Sequence, residues 1–226
     1  MYQRYTNFAR EWVRVQMSGQ ARCGTLMPFE IGKSGDLVHH VYLEVTGPMF
    51  ENSTADLSSA RDEAEHTAFK GTYSPYLGIE RVQVVIGGQV IDEMFGDYMQ
   101  VWSELVKRNN SDETDTLASL LHSSASTSGS LSSLNTEEKL YIPLPFWFTL
   151  NPGLALPLIS LISQKLEIRV QFPEFHNESS TKYALKQDIW DTAELLVEYI
   201  FLDDTERRHF AQDKLEYLIT THQRRS

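Results

Sequence analysis

An uninterrupted run without charged side chains, LYIPLPFWFTLNPGLALPLISLI at 140–162, constrains the fold of this chain more than any other stretch. Its length of about 20 residues is that of a membrane-spanning helix. Four prolines argue against such a helix, because each removes a backbone donor and hydrocarbon has no water to replace the lost hydrogen bond; they are Pro143, Pro145, Pro152 and Pro157. We predict that protein covers the run, with YIPLPFWF as a strand and an Asn-Pro-Gly turn after it.

Alternating apolar and polar residues predict strands through most of the remaining chain. The strongest alternation is LEIRVQF at 166–172, and the same period at 37–45 predicts that the odd-numbered residues face inward. Gly87-Gly88 predicts a two-residue hairpin turn, because glycine reaches positive φ freely. Further strands are expected over 13–17, 20–31, both arms of 80–94, and 189–202, which becomes apolar on both faces toward its end.

Helices are few and short in this pattern. Segment 97–107 has an apolar stripe at helical spacing, and 204–212 follows a capping signal from Asp203 to Glu206. Between strands lies 109–136, rich in Ser and Thr and too polar to form its own core, which predicts a long exposed loop. Together these elements predict an all-β fold, an antiparallel eight-stranded jelly-roll sandwich with short connecting helices.

Composition excludes several classes of protein. The 226 residues contain one cysteine, Cys23, so an intrachain disulfide and a multi-cysteine zinc site are both excluded, and a reducing compartment is expected. The net charge of −11 disfavours direct nucleic-acid binding, which depends on Lys and Arg. The opening residues contain no apolar segment typical of a secretory signal.

Motifs for catalysis or cofactor binding are weak. GKSG at 32–35 resembles the end of a phosphate-binding loop, but Met27 stands where that loop requires its first glycine. Strand alternation places His39 and His40 on opposite faces, so a shared metal site is not expected and His39 is interpreted as a hydrogen-bonded core residue. We predict no enzyme, no cofactor, no catalytic residue and no metal site.

Five blocks, in order along the chain, closely resemble the major capsid proteins of large nucleocytoplasmic DNA viruses. The long block with prolines is the most specific of them. The blocks are RYTNFAREW at 4–12, GDLVHHVYLEVTGP at 35–48, IGGQVID at 86–92, YIPLPFWFTLNPGLALPLISL at 141–161 and EYIFLDDTERRHFAQ at 198–212.

The resemblance implies a structural protein of the virion. Members of this family have two jelly rolls per subunit and form homotrimeric capsomers that tile an icosahedral shell over an internal membrane, together with minor capsid proteins. Residues 1–203 correspond to the first jelly roll, and 204–226 to a connecting helix and the start of the second. The chain thus looks like part of a capsid protein, in a shell assembled in the host cytoplasm.

Two questions stay open at the level of sequence. The apolar side chains of the charge-free run are candidates either for subunit contact or for the protein's own core: Phe146, Trp147, Phe148, Leu154, Leu156 and Leu158. The alternative function is a single jelly-roll module that binds glycans or a receptor through surface aromatics and carboxylates.

Overall fold

The computed structural model describes residues 6–18, 24–46, 79–106, 139–161, 163–173, 192–212 and 215–224. The loop predicted at 109–136 and Cys23 lie outside these residues. The described strands are β1 Phe8–Gln16, β2 Leu26–Ile31, β3 Leu37–Thr46, β4 Arg81–Ile86, β5 Gln89–Phe95, β6 Lys139–Pro143, β7 Leu156–Pro157, β8 Leu166–Gln171 and β9 Thr192–Leu202. The described α-helices are α1 Gly96–Val106, α2 Trp147–Leu150 and α3 Asp204–Gln212.

The strands form two antiparallel sheets. The first has the order β1-β9-β3-β6, with the two-residue β7 also paired to β3, and the second has the order β2-β8-β4-β5. Successive strands alternate between the sheets, except that β4 and β5 both lie in the second sheet and β6 and β7 both lie in the first. This is the connectivity of a jelly roll. The predicted fold class is confirmed, and its eight strands are the four in each ordered path.

A single large apolar core fills the space between the sheets. In β8, Leu166, Ile168 and Val170 are buried as the alternation predicts, and β9 supplies Leu195 and Val197 from the opposite sheet. Burial of alternate side chains from both sheets supplies the main driving force for folding.

The inward face predicted for β3 is correct only in its second half. Val41, Leu43 and Val45 join the core between the sheets. Upstream, Val38 is the residue in that core and Leu37 belongs to a separate small cluster, because the register with β9 shifts between Val38 and Val41. The shift exchanges which residues face inward.

The charge-free run is largely buried, but its strand is shorter than predicted. Strand β6 ends at Pro143, opposite Tyr42, and the next aromatic residues lie on α2. Pro143 and Pro145 have no N–H for the ladder, so the backbone turns instead. Thr149 Oγ1 stabilises that turn by donating to the Leu144 carbonyl at 2.9 Å. Among the described residues, no helix has the length and apolar character needed to cross a membrane.

Glycines determine the local backbone geometry at two places. Gly87 and Gly88 have φ of +59° and +85°, which confirms the predicted hairpin between β4 and β5. Gly35 lies against β9 so closely that an added Cβ would stand 2.8 Å from the Tyr199 Cβ. The loop before β3 can therefore approach β9 only where a side chain is absent.

Helix α3 is tied to the start of β3. Asp36 accepts hydrogen bonds from Arg207 Nε at 3.0 Å and Nη2 at 3.1 Å, and from the Leu202 backbone N–H at 2.8 Å. Phe210 of α3 packs against a small cluster containing Leu37. A bidentate guanidinium–carboxylate pair fixes both distance and orientation.

The described residues after α3 return to the second sheet. His222 donates its backbone N–H to Asp92 at 2.9 Å, and Arg224 lies 3.4 Å from Asp97. Tyr98 packs against the His222 ring with centroids 4.3 Å apart. This segment therefore covers one edge of the jelly roll.

Candidate assembly surface

Five of the six candidate contact residues lie in the chain's own core. On α2, the Phe148 ring stacks 5.8 Å from Phe146 and meets Trp147 edge-on at 5.1 Å. All three are buried, as are Leu156 and Leu158, whereas Leu154 is half-buried. Subunit contact through Leu154 stays a prediction, and the other five have little surface left for a neighbour.

The outer face of the first sheet offers a different surface. We call it the outer-face patch and define it by Trp12, Tyr42 and Tyr141 on β1, β3 and β6. Trp12 is 45% exposed, and its ring lies 5.5 Å from that of Tyr42. Exposed aromatics grouped on one sheet face are typical of association surfaces.

Two arginines of β1 border this patch and pair with buried carboxylates. Arg14 Nε lies 3.2 Å from Glu44 Oε2, and Arg10 Nη1 lies 3.4 Å from Glu198 Oε1. Each carboxylate side chain is only 4% exposed, so its charge needs these partners to offset the loss of hydration. The side chains of Arg10 and Arg14 themselves remain 45% and 54% exposed, so both pairs lie at the surface of the sheet.

A β-bulge gathers two histidines beside the same patch. Val38 pairs with Tyr199 and Val41 with Val197, so two residues of β3 stand opposite Glu198 alone. The Nδ1 atoms of His39 and His40 lie 3.2 Å and 2.6 Å from Glu198 Oε2. The expectation that these histidines face opposite sides is wrong, because a bulge suspends strand alternation. His39 is buried and hydrogen-bonded, as predicted.

Burial and hydrogen bonding act in opposite directions on this cluster. Burial lowers the pKa of His39, and the neighbouring His40 lowers it further, against the opposing effect of Glu198. Burial alone would raise the pKa of Glu198, but hydrogen bonds from His40 and His39 outweigh it and lower the pKa. The folded protein thus favours a neutral His39 beside an ionised carboxylate.

Sequence reasoning missed this cluster although a signal was present. The core residues Val38 and Val41 are three positions apart, a spacing that no regular strand can place on one face. The alternation between inward and outward residues therefore shifts by one at His39-His40, and such a shift marks a bulge. Glu198 lies 158 residues from His40, so only the β3–β9 pairing brings them together.

Comparison with known proteins places this chain in a family. The model of the major capsid protein N-terminus matches residues 1–203. The major capsid protein of Pyramimonas orientalis virus is 32% identical over 220 residues, covering 97% of this chain and 50% of that protein. The major capsid protein of Phaeocystis pouchetii virus is 34% identical, covering 96% of this chain and 46% of that protein.

The fold is also similar to that of a solved capsid protein. A quasi-atomic model of the PBCV-1 virus capsid matches 97% of this chain and 48% of its own chain, with a TM-score of 0.70 and 29% identity. The chain therefore spans about half the length of the relatives it matches. Their shared role is structural, which confirms the prediction that the protein is not an enzyme. The chain belongs to the major capsid protein family of large DNA viruses and matches the N-terminal part of that family.

Proposed function

We propose that this chain forms the first jelly roll of a capsid subunit, and that three such subunits assemble into each capsomer of an icosahedral shell. The observation that carries the proposal is the alternating two-sheet topology, which matches the PBCV-1 capsid chain over 97% of the residues here. That match occupies 48% of the longer capsid chain, so a second jelly roll would complete the subunit.

The outer-face patch is the contact surface that we assign to this assembly. Trp12 is large and half-exposed, and Arg10 and Arg14 flank it as a charged rim. Apolar centres with polar rims are the usual anatomy of protein interfaces. The occupant proposed here is another jelly roll of the shell, and Leu154 remains a smaller candidate contact beyond the patch.

The same assignment extends to partners and location. The protein acts in the virion capsid, contacts copies of itself and minor capsid proteins, and lies near an internal viral membrane. Assembly takes place in the host cytoplasm. Direct contact with the genome is not proposed, because a net charge of −11 opposes binding to a phosphate backbone. Residues 204–226 are assigned to the connection with the second jelly roll.

Cryo-electron microscopy of virus particles that contain this chain tests the proposal. The expected map has three copies of the described jelly roll in each capsomer, and mass spectrometry finds the chain among the most abundant virion proteins. A shell built from a different fold would contradict the proposal. A monomeric chain outside the shell that binds glycans on an array would instead support the glycan-binding alternative.

A further inference from the structure

The bulge cluster of His39, His40 and Glu198 has a donor set typical of a metal centre. One ligand atom from each residue lies within 4.8 Å of the others. Two imidazoles and one carboxylate are a common three-residue set for zinc and other divalent transition metals. The bulge supplies this geometry, since it turns two consecutive histidines toward one carboxylate of the neighbouring strand.

The spacing of the donors suits a small tetrahedral ion. Zinc with ligands at about 2.1 Å keeps neighbouring ligand atoms about 3.4 Å apart. His39 Nδ1 already lies 3.2 Å from Glu198 Oε2. His40 Nδ1 is closer, at 2.6 Å, and its half-exposed side chain can move outward to open that distance.

The protein's own hydrogen bonds leave this cluster incomplete. His39 is 2% exposed, and its Nε2 has no hydrogen-bond partner among the described residues. The Nδ1 atoms of both histidines lie against the same oxygen of Glu198. The Nε2 atom, on the other side of the His39 ring, has no partner among the described residues. A cation placed between the two Nδ1 atoms and Glu198 Oε2 would bond to all three of these atoms.

Neighbouring side chains support a bound ion in different ways. Arg10 holds the other oxygen of Glu198 at 3.4 Å, which leaves Oε2 directed at the histidines. Trp12 lies beside His40, with ring centroids 6.2 Å apart and planes inclined by 24°. The half-exposed His40 gives an ion a path from solvent. Outer partners of this kind orient metal ligands.

We propose that His39, His40 and Glu198 bind one divalent transition-metal ion, best suited to Zn²⁺, which links β3 to β9 on the outer face of the first sheet. The ion joins the two strands at the point where the bulge interrupts their ladder. Its fourth position faces solvent beside His40.

Isothermal titration of the whole chain with ZnCl₂, after removal of metals with a chelator, tests the site. The unmodified chain is expected to bind one equivalent, and saturating zinc is expected to raise its melting temperature. His40→Gln removes one ligand at the exposed side of the site and is expected to weaken zinc binding at least about tenfold. His209→Gln on α3 is the matched control and is expected to bind zinc as the unmodified chain does.

Equal zinc affinity in the unmodified chain and His40→Gln would overturn the proposal, as would the absence of stoichiometric zinc in a folded chain. Co²⁺ provides a second measurement that needs no variant. Tetrahedral coordination by nitrogen and oxygen gives intense visible absorption bands, whereas the hydrated ion is octahedral and pale. A pale spectrum at one equivalent of Co²⁺ would also contradict the site, even if His40→Gln did not fold.

Discussion

Among single residues, Tyr199 illustrates how closely the loop between β2 and β3 approaches β9. Its ring is buried in the core, its hydroxyl donates to the Gly32 carbonyl at 2.8 Å, and its Cβ faces Gly35. Burial raises the pKa of Tyr199 to about 12. The phenol therefore stays neutral in the folded protein at pH values where an unfolded chain has begun to ionise it.

Tyr199 is expected to make the protein sensitive to alkali. Its folded pKa of about 12 exceeds the ordinary value of 10.0, so its stabilising effect is complete below pH 10 and is lost as the pH rises toward 12. The loss is at most about 3 kcal/mol, at roughly 1.4 kcal/mol per pKa unit. Tyr199→Phe should cost about 1 kcal/mol at pH 8 but show a smaller decline above pH 10. Urea unfolding between pH 8 and 11.5 measures both effects.

Tyr141→Phe on β6 is the matched control, since that ring is partly exposed. Its stability is expected to follow the same pH profile as the unmodified chain. If Tyr199→Phe and the unmodified chain lost stability in parallel up to pH 11.5, the buried phenol would have no part in the alkaline transition.

On the scale of elements, the charge-free run contributes buried side chains to the core from a backbone made mostly of short turns rather than long strands. Strand β7 pairs Leu156 with Val38 of β3, and α2 places its aromatic residues against the same strand. Prolines end the regular ladder, and short helical turns return the chain to the sheet. The run thus closes one side of the sandwich by packing against it.

Leu156→Asp is expected to unfold the protein rather than only separate subunits. Leu156 is 7% exposed, and an unpaired carboxylate there should destabilise folding by about 3 kcal/mol or more. Leu150→Asp in the same run is the control, because Leu150 is 55% exposed and should change stability by less than about 1 kcal/mol. Circular dichroism during thermal unfolding distinguishes them; an intact β spectrum with an unchanged melting temperature in Leu156→Asp would assign Leu156 to an interface.

At the scale of the whole molecule, the two sheets differ in what lies against their outer faces. The first sheet carries the outer-face patch with its buried acids, whereas the described segment after α3 lies along the second sheet. Within the described residues, Trp12 on the first sheet is 45% exposed, which leaves area for a lateral contact. The bulge cluster lies beside the patch, so metal binding and assembly would share one surface.

Trp12→Ala is expected to impair shell assembly without unfolding the jelly roll. Its side chain is the largest exposed apolar group of the patch, and aromatic residues dominate interface energetics. Val90→Ala on β5 is the control, since Val90 is similarly exposed but belongs to the other sheet. Particle yield by sedimentation of co-expressed subunits measures the effect, with loss of at least half expected for Trp12→Ala. Equal yields for both variants would remove the patch from the contact surface.

The sequence by itself determined the jelly roll, the hairpin at Gly87-Gly88 and the helix bounds near 97–107 and 204–212, because period, turn chemistry and capping are local properties of the chain. It also indicated the family, through the resemblance of five sequence blocks. Only the tertiary structure decided which apolar residues are core. It also decided where β6 ends and that His39 and His40 meet Glu198. Those outcomes depend on strand register and on a bulge, and register is set by partners more than 150 residues away along the chain.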